Sequence, residues 1–331
     1  MKTILLTGCA GFIGANFLKT IATANKKYNF IILDALTYAG HYPTIEKDIS
    51  ENSHFKFIKG DIRNREVVEN IFKDTKISGV IHFAAESHVD NSIINPNIFV
   101  ETNVLGTLNL LNAAKRLGES DIRFLHVSTD EVYGQLKEAD PAFCETTPIA
   151  PSSPYSASKA GSDLIVRSYH ETYKMDVVIT RCSNNYGPYQ FPEKLIPLMI
   201  HNALNDIKLP VYGDGRNIRD WIYVDDHCEG IWQAFLNGKK GEVYNFGGNA
   251  EMRNIDVVKT ILKQVGKSES LISFVEDRKG HDWRYAINFA KAKKELNWQP
   301  KVNFTDGIKK TINWYVENQS WINSVKHFPG K

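Results

Sequence analysis

Residues 3–14 read T-I-L-L-T-G-C-A-G-F-I-G, an apolar run followed at once by glycines at the spacing G-x-x-G-x-x-G. The run Thr3–Leu6 is typical of a buried strand, and Phe12–Thr23 is typical of a helix. Glycines between a strand and a helix permit a tight turn, close approach of the backbone to a pyrophosphate, and close packing of the helix on the strand. The stretch therefore predicts a dinucleotide-binding βα unit.

Short apolar runs continue to alternate with longer helix-like segments as far as Thr180. The strand-like runs are Phe30–Leu33, Phe55–Ile58, Val80–Phe83, Phe124–Val127 and Val177–Thr180, and the helix-like segments include Arg65–Phe72, Ile98–Leu117 and Ala157–Tyr173. Continuously apolar strands separated by helices predict a parallel sheet that is covered on both faces. We therefore expect an α/β fold with a Rossmann-type doubly wound parallel sheet.

An acidic residue, Asp34, ends the second strand-like run, 20 residues after Gly14. A carboxylate at this place accepts both hydroxyls of the adenosine ribose and repels a 2′-phosphate, so NAD is favoured over NADP as the cofactor. Asp61 ends the third run, at the edge of the sheet where an adenine would lie. Ala84 and Ala85 follow the fourth run and allow close approach of the cofactor's other ribose.

The strand and helix pattern fades near Asn184, where prolines become frequent. The run Glu242–Phe246 then predicts a strand that returns to the main sheet. We expect an NAD-binding Rossmann domain over residues 1–184, with a returning segment near 220–248. A smaller, discontinuous substrate domain, interleaved with the first, is expected over residues 185–331.

Composition narrows the class of protein. The 331 residues include 40 basic and 38 acidic side chains, a formal net charge of +2, with no basic stripe that would indicate a nucleic-acid partner. The longest apolar runs are shorter than the roughly 18 residues of a membrane helix, and no signal-peptide pattern precedes the first strand. Four widely spaced cysteines, Cys9, Cys144, Cys182 and Cys228, are typical of reduced thiols. We expect a cytoplasmic protein without a membrane partner.

Tyr155 and Lys159 lie four residues apart in the motif Y-S-A-S-K, on one face of a predicted helix. A tyrosine is normally too weak an acid to react near neutral pH, but a nearby ammonium and a positive nicotinamide favour its phenolate. The pair can then take a proton from a substrate hydroxyl while hydride leaves the same carbon. A surface tyrosine–lysine pair without function is the alternative, and the glycine loop at the start of the chain argues against it.

The stretch V-S-T-D-E-V-Y-G (127–134) places Asp130 and Glu131 side by side where a core strand ends. Desolvated carboxylates are costly unless they are paired or used. The alternative is a solvated pair that caps the next helix.

Together these motifs resemble the extended short-chain dehydrogenase/reductase superfamily, and within it the nucleotide-sugar 4,6-dehydratases. The resemblance covers nearly the whole chain. It is carried by G-C-A-G-F-I-G (8–14), L-D-A-L-T-Y-A-G (33–40), G-D-I (60–62), H-F-A-A-E-S-H-V-D (82–90), S-T-D-E-V-Y-G (128–134), Y-S-A-S-K (155–159), R-C-S-N-N-Y-G-P-Y-Q-F-P-E-K-L-I-P (181–197), G-D-G-R-N-I-R-D-W-I-Y-V-D-D-H (213–227) and D-R-K-G-H-D-W-R-Y-A-I (277–287).

The resemblance implies dehydration of dTDP-glucose to dTDP-4-keto-6-deoxyglucose, a step of deoxysugar biosynthesis. NAD+ oxidises C4 of the hexose, water leaves across C5 and C6, and the hydride returns to C6. The resemblance assigns Glu131 as the base at C5 and Asp130 as the acid at C6, with Thr129 bound to the C4 oxygen. Both carboxyls must then face one sugar, and neighbouring side chains of a strand point apart. We therefore expect the strand to end before Asp130 and turn.

The resemblance also implies three sets of site residues. The catalytic set is Thr129, Asp130, Glu131, Tyr155 and Lys159. The cofactor set is Gly8, Gly11, Phe12, Ile13, Gly14, Asp34, Ala35, Leu36, Thr37, Asp61, Ile62, Phe83, Ala84, Ala85, Ser87, Thr102, Ser128, Tyr155, Lys159 and Asn184. The substrate set is Ser87, His88, Thr129, Asn184, Glu193, Lys194, Leu195, Pro210, Val211, Tyr212, Arg219, Asn254, Arg278 and His281. The helices at 101–117 and 157–173 resemble those that form a dimer interface in the superfamily, so a homodimer is expected.

Several readings stay open at this point. Asn91 and Trp283 stand where relatives often carry arginine, and His41-Tyr42-Pro43 alters a loop. These departures leave a UDP-sugar substrate as an alternative. An NAD-dependent nucleotide-sugar 4-epimerase is a second alternative. His82 and His88 have no third ligand at suitable spacing, so we expect no metal.

Overall fold

The computed structural model describes residues 1–116, 122–277 and 280–325. Its strands are β1 (Lys2–Thr7), β2 (Tyr28–Asp34), β3 (Phe55–Lys59), β4 (Ile77–His82), β5 (Arg123–Thr129), β6 (Val177–Cys182), β7 (Asn184–Tyr186), β8 (Leu209–Tyr212), β9 (Ile218–Tyr223), β10 (Val243–Phe246), β11 (Glu251–Arg253) and β12 (Ile272–Val275). Within these ranges, seven strands form one parallel sheet in the order β10-β6-β5-β4-β1-β2-β3. The predicted Rossmann-type parallel sheet is thus confirmed.

Helices cover both faces of this sheet. The α-helices of the described residues, including those that build a smaller lobe, are α1 (Phe12–Phe17), α2 (Glu46–Glu51), α3 (Arg65–Asp74), α4 (Val89–Ile94), α5 (Pro96–Phe99), α6 (Thr107–Arg116), α7 (Pro154–Tyr173), α8 (Leu195–Leu204), α9 (Val224–Asn237), α10 (Asn254–Val265), α11 (Ala290–Leu296), α12 (Phe304–Glu317) and α13 (Gln319–Ser324). The helix expected over Ile98–Leu117 contains a π-helical segment, Val100–Gly106, and Leu117 lies outside the described residues.

Alternation along β1 shows how the sheet is buried. Ile4 and Leu6 point into the apolar cluster shared with α1 and α9, while Leu5 points into the cluster shared with α3 and α6. Because successive side chains of a strand face opposite sides, a run that is apolar throughout is buried on both.

A smaller lobe is built from later parts of the chain. Its sheets have the orders β11-β9-β7 and β12-β8, and its core includes Tyr186, Ile200, Leu209 and Ile261. β10 lies instead at the edge of the main sheet, beside β6. The domain boundary near residue 184 stays a prediction.

Candidate active site

The glycine turn after β1 leaves no room for side chains at two positions. Gly8 has φ +77°, and a Cβ there would lie 2.6 Å from Cα of Ala84. A Cβ on Gly14 would lie 2.4 Å from the carbonyl oxygen of Gly8. The turn therefore holds β1, α1 and the loop after β4 in close contact, and the N-terminus of α1 opens onto a cleft at the carboxyl edge of the sheet.

Asp34 at the end of β2 organises the next wall of the cleft. One carboxylate oxygen accepts the backbone N–H of Ala10 at 2.8 Å, and the other accepts that of Leu36 at 2.9 Å. Burial raises the pKa of Asp34, and these two hydrogen bonds oppose the shift. Each oxygen keeps a second lone pair, so the carboxylate can still accept ligand hydroxyls.

The wall beyond β3 contains a charged pair, Asp61 and Arg63, of which only Asp61 is predicted from the sequence. Arg63 donates to Oδ2 of Asp61 from Nε at 2.9 Å and from Nη2 at 2.6 Å. Although burial opposes it, these bonds lower the pKa of Asp61, which is therefore ionised.

The carboxylate pair sits on a tight turn, as expected. β5 ends at Thr129, and Asp130–Tyr133 form a short 3-10 helix. Thr129 Oγ1 accepts the backbone N–H of Glu131 and donates to Oδ1 of Asp130, both at 3.3 Å. The change from strand to helix breaks the alternation, so both carboxyls can line one cleft.

Asp130 is 2% exposed, and its Oδ2 has no hydrogen-bond partner among the described residues. Burial raises the pKa of Asp130 well above its usual value, and the nearby carboxylates of Glu131 and Asp220 raise it further. Arg219 opposes these effects but does not reverse them. The Asp130 side chain is therefore suited to carrying a proton.

The first turns of α7 bring Tyr155 and Lys159 to the same cleft. Ser153 caps the helix through a reciprocal pair of hydrogen bonds with Ser156, at 3.1 and 3.0 Å. Lys159 Nζ donates to the carbonyl oxygen of Val127 at 2.8 Å, which ties the helix to β5. Burial lowers the pKa of Lys159 to about 8.

Tyr155 is held as a phenol by the protein's own groups. Burial raises its pKa well above the usual value, and the nearby Glu131 carboxylate adds to the rise. A hydrogen bond with Thr129 opposes them. The phenolate expected from the sequence depends on a positive nicotinamide as well as on Lys159, and it stays a prediction.

Loops after three different strands meet over the cleft. Tyr38, after β2, donates its hydroxyl to Oε1 of Glu193 at 3.1 Å. Lys194, in the loop after β7, donates to the carbonyl oxygen of Ser87, after β4, at 3.2 Å. These contacts join the dinucleotide side of the cleft to the smaller lobe.

Comparisons with known proteins agree with this geometry. The profile of the family described as GDP-mannose 4,6 dehydratase matches residues 5–311. The dTDP-glucose 4,6-dehydratase of Xanthomonas campestris pv. campestris is 49% identical, over 98% of this chain and 96% of that protein. The enzyme of the same name from Salmonella typhimurium is 48% identical, over 98% of this chain and 95% of that protein. The chain belongs to the dTDP-glucose 4,6-dehydratase family.

Solved structures of the family have the same fold. A dTDP-glucose 4,6-dehydratase from Streptomyces venezuelae, crystallised with NAD bound, superposes with a TM-score of 0.93 and 44% identity, over 98% of this chain and 100% of that one. A UDP-glucose 4-epimerase from Thermotoga maritima gives a TM-score of 0.88 at 27% identity, over 96% of this chain and 99% of that one. The fold is thus shared beyond the dehydratases.

The structure brings most of the residues expected from the family into the one cleft. It is lined by the whole catalytic set, by every member of the cofactor set except Leu36, and by Ser87, Asn184, Glu193 and Lys194 of the substrate set. The remaining described members of the substrate set, which lie outside the lining, are His88, Leu195, Pro210, Val211, Tyr212, Arg219, Asn254 and His281. Arg278 lies outside the described residues.

Two of the residues outside the lining have specific surroundings. The guanidinium of Arg219 donates to the carbonyl oxygens of Ile218 at 2.7 Å and Asp282 at 3.0 Å and lies over the ring of Tyr285. Asn254 Oδ1 is buried without a partner among the described residues. The roles expected for both in substrate binding stay predictions.

Other lining residues were not predicted. They include Gly40, Arg63, Glu86, Cys182, Ser183, Asn185, Gln190 and Phe191. Arg63 directly follows one of the quoted motifs, and the others lie within them. Counting every residue of each motif and its nearest neighbour would therefore have found them all.

The cleft fits a dinucleotide. Ser128 Oγ and Asn184 Oδ1 are buried in its wall, and neither has a hydrogen-bond partner in the described part of the chain. Unsatisfied buried polar atoms are costly, which indicates that a ligand satisfies them. Asp34 and the glycine turn supply the ribose and pyrophosphate contacts that such a ligand needs.

His82, one of the two histidines considered as metal ligands, is part of a hydrogen-bonded core. Its ring nitrogens lie 2.7 Å from Thr7 Oγ1 and 2.9 Å from Thr107 Oγ1. Among the described residues, no group of three or more His, Cys, Asp or Glu side chains could hold a metal ion. A reaction without a metal stays a prediction.

Proposed function

We propose that the protein catalyses the dehydration of dTDP-glucose to dTDP-4-keto-6-deoxyglucose as an NAD-dependent hydro-lyase. The observation that carries the proposal is the placement of Asp130 and Glu131 beside Tyr155, in the cleft that the glycine turn opens onto. Oxidation at C4 alone needs no such carboxyl pair. When bound, NAD+ supplies the oxidation of C4 and the later reduction of C6.

Glu131 is proposed as the base that removes the C5 proton. A 4-keto group makes that proton acidic, so a carboxylate is a strong enough base. Asp130 is proposed as the acid that protonates the departing C6 hydroxyl, because its surroundings favour the protonated form.

Tyr155 is proposed to take the proton from the C4 hydroxyl, with Thr129 bound to the same oxygen. The pKa of Tyr155 is raised by burial and by acidic neighbours, so its deprotonation needs the positive charge of an oxidised nicotinamide next to the ring. Lys159 is proposed to bind the cofactor ribose and to add to that positive charge.

The cofactor-set residues are proposed to bind NAD in an extended form along the cleft. Asp34 receives the adenosine ribose, and the glycine turn receives the pyrophosphate. The substrate set, including Arg219, Arg278 and Asn254, is proposed to bind the nucleotide sugar on the side of the smaller lobe. We also propose the domain division 1–184 and 185–331 for these two tasks.

A homodimer is proposed from exposed apolar side chains on neighbouring elements. Val100 and Leu105 on the π-helical segment are each 49% exposed, and Leu164 on α7 is 54% exposed. The two elements pack closely, since a Cβ on Gly161 would lie 3.3 Å from the side chain of Val104. Clustered exposed apolar residues are typical of a subunit interface.

The cysteines support a proposed cytoplasmic location. Cys9, Cys144, Cys182 and Cys228 are all free, as expected in a reducing compartment. No helix in the described ranges is long and apolar enough to cross a membrane.

A direct assay tests the proposed function. The purified protein is incubated with dTDP-glucose and, in parallel, with UDP-glucose, and the products are analysed by mass spectrometry. We expect loss of one water from dTDP-glucose. Equal or faster water loss from UDP-glucose would contradict a preference for the dTDP nucleotide. A galactose product without water loss would indicate an epimerase.

A further inference from the structure

A buried group of charged side chains lies beneath Lys159, between α7 and the strands β5 and β6. Asp163, one helical turn after Lys159, is 1% exposed. Its Oδ2 accepts a hydrogen bond from Nε of Arg181 at 2.9 Å, and its Oδ1 lies 3.4 Å from Nε2 of His126. None of these three residues belongs to the sets of site residues or to the lining of the cleft.

Asp163 is a permanent anion in the core. Burial opposes its charge, but Arg181 and His126 lower the pKa of Asp163 to about 2. Burial lowers the pKa of His126 to about 4, so that imidazole is neutral near pH 7. The guanidinium of Arg181 is held 4.7 Å from the centre of the Tyr133 ring.

Lys159, one helical turn before Asp163 and 3% exposed, is the buried cation of the active site that lies near this anion. Burial favours the neutral amine, and Asp163 is the largest of the influences that oppose it. The titratable groups around Lys159, from its own helix and from three strands, include Tyr155, Asp163, His82, His126, Arg181 and Cys182. His82 and the Cys182 thiol stay neutral near pH 7, because burial lowers the pKa of the first and raises that of the second.

We propose that Asp163 is a positioning residue whose buried carboxylate keeps Lys159 protonated and so sets the alkaline limit of the reaction. The carboxylate acts one turn along the same helix, through the core, without contact to substrate or cofactor. Without the charge on Lys159, the phenolate of Tyr155 loses a stabilising neighbour. The inference rests on the roles proposed above for Lys159 and Tyr155.

The first test measures the charge of Lys159 directly. The protein without substrate is labelled with acetic anhydride across a pH series, and the peptide that contains Lys159 is quantified by mass spectrometry. In Asp163→Asn we expect the midpoint of labelling to move to lower pH by on the order of one unit. An unchanged midpoint in the folded variant would overturn the proposal.

Asp163→Asn leaves the Arg181 guanidinium buried without its partner, which destabilises the fold. The double variant Asp163→Asn/Arg181→Gln removes both charges and is expected to shift the labelling midpoint in the same direction by a smaller amount, because a repulsion of Lys159 is lost as well. Unfolding of both variants, seen by circular dichroism, would assign the pair to stability and count against the proposal.

Asp176→Asn is the matched control. It breaks another aspartate–arginine pair, with Arg123 at 3.0 and 3.1 Å, at the opposite end of β5 and β6. Its labelling midpoint for Lys159 is expected to equal that of the unmodified protein.

A second readout uses turnover. In Asp163→Asn the alkaline limb of the kcat/KM profile for dTDP-glucose is expected to move in the acid direction, and Asp163→Glu is expected to keep it in place. A uniform loss of rate at all pH values would indicate a structural role only. Labelling needs no substrate, so it still tests Asp163 if the unmodified protein fails to dehydrate dTDP-glucose.

Discussion

Asp130 and Glu131 are neighbours in the chain but have different surroundings. Asp130, in the wall of the cleft, is 2% exposed, whereas Glu131 is only partly buried. Burial and the adjacent negative charge favour a protonated Asp130. The turn after β5 thus gives the two carboxyls different surroundings, and those of Asp130 favour the proton that an acid in the elimination must carry.

Glu131→Gln is expected to stop the elimination while C4 oxidation continues, because the amide cannot accept the C5 proton. In single turnover with dTDP-glucose, the absorbance of reduced nicotinamide should rise and persist. We expect product formation to fall by about 10²- to 10⁴-fold. A variant that dehydrates at the normal rate would refute the role of Glu131 as base.

Asp130→Asn is expected to change how stability depends on pH. The folded-state pKa of Asp130 is raised, so the folded protein retains a proton that the unfolded chain loses above about pH 4. The free energy of unfolding of the unmodified protein therefore falls as the pH rises from about 4 towards the raised pKa of Asp130. The asparagine variant has no proton to retain at this position, so this decrease is absent from it. Urea unfolding at pH 4 and pH 8 should show that the variant is more stable, relative to the unmodified protein, at pH 8 than at pH 4. The same difference in free energy of unfolding at both pH values would contradict the prediction.

At the scale of elements, α7 holds Tyr155 and Lys159 next to the end of β5, where the two carboxyls lie. Its N-terminal cap orients the turn that carries Tyr155, and the bond from Lys159 to Val127 ties its second turn to β5. Further along, Asn103 Nδ2 donates to Ser158 Oγ at 2.8 Å and links α7 to the π-helical segment. The helix is therefore held on both sides along the cleft.

Ser153→Ala is expected to lower the free energy of unfolding by about 1 kcal/mol, because the N-cap bond to the backbone of Ser156 is lost. Turnover of dTDP-glucose should fall as well, since the frayed turn carries Tyr155. Ser168→Ala is the control, on an exposed face of the same helix. Equal effects of the two variants on turnover would contradict a positioning role for the cap.

The catalytic set could be predicted because its geometry follows from local rules. Parallel strands end at one edge of the sheet, and residues four apart on a helix share a face. The resemblance to the family supplied the rest, namely that Thr129 meets Tyr155 and Lys159. The raised pKa of Tyr155 could not be predicted, because it depends on how deeply the ring is buried. The Asp163–Arg181 pair was missed for a similar reason, since its partners come from separate elements.

At the scale of the whole molecule, the exposed apolar residues of the π-helical segment and α7 predict the assembly. Leu164→Asp places a charge in the proposed interface and is expected to convert a dimer into monomers, seen as a halved mass by light scattering. Val316→Asp on α12 is the control, because Val316 is 49% exposed but lies elsewhere. A monomeric unmodified protein, or equal masses for all three, would contradict the proposed dimer.

The edge position of β10 bears on how the chain can fold during synthesis. The ribosome releases β1 to β6 first, while the helix that covers Phe17, α9, follows only with Val224–Asn237. Trp232 of that helix packs against Phe17, with ring centroids 6.1 Å apart. A nascent chain that ends before Val224 therefore exposes this apolar face together with the unpaired edge of β6. Chaperones that hold apolar surface are its expected partners until the last strand of the main sheet emerges.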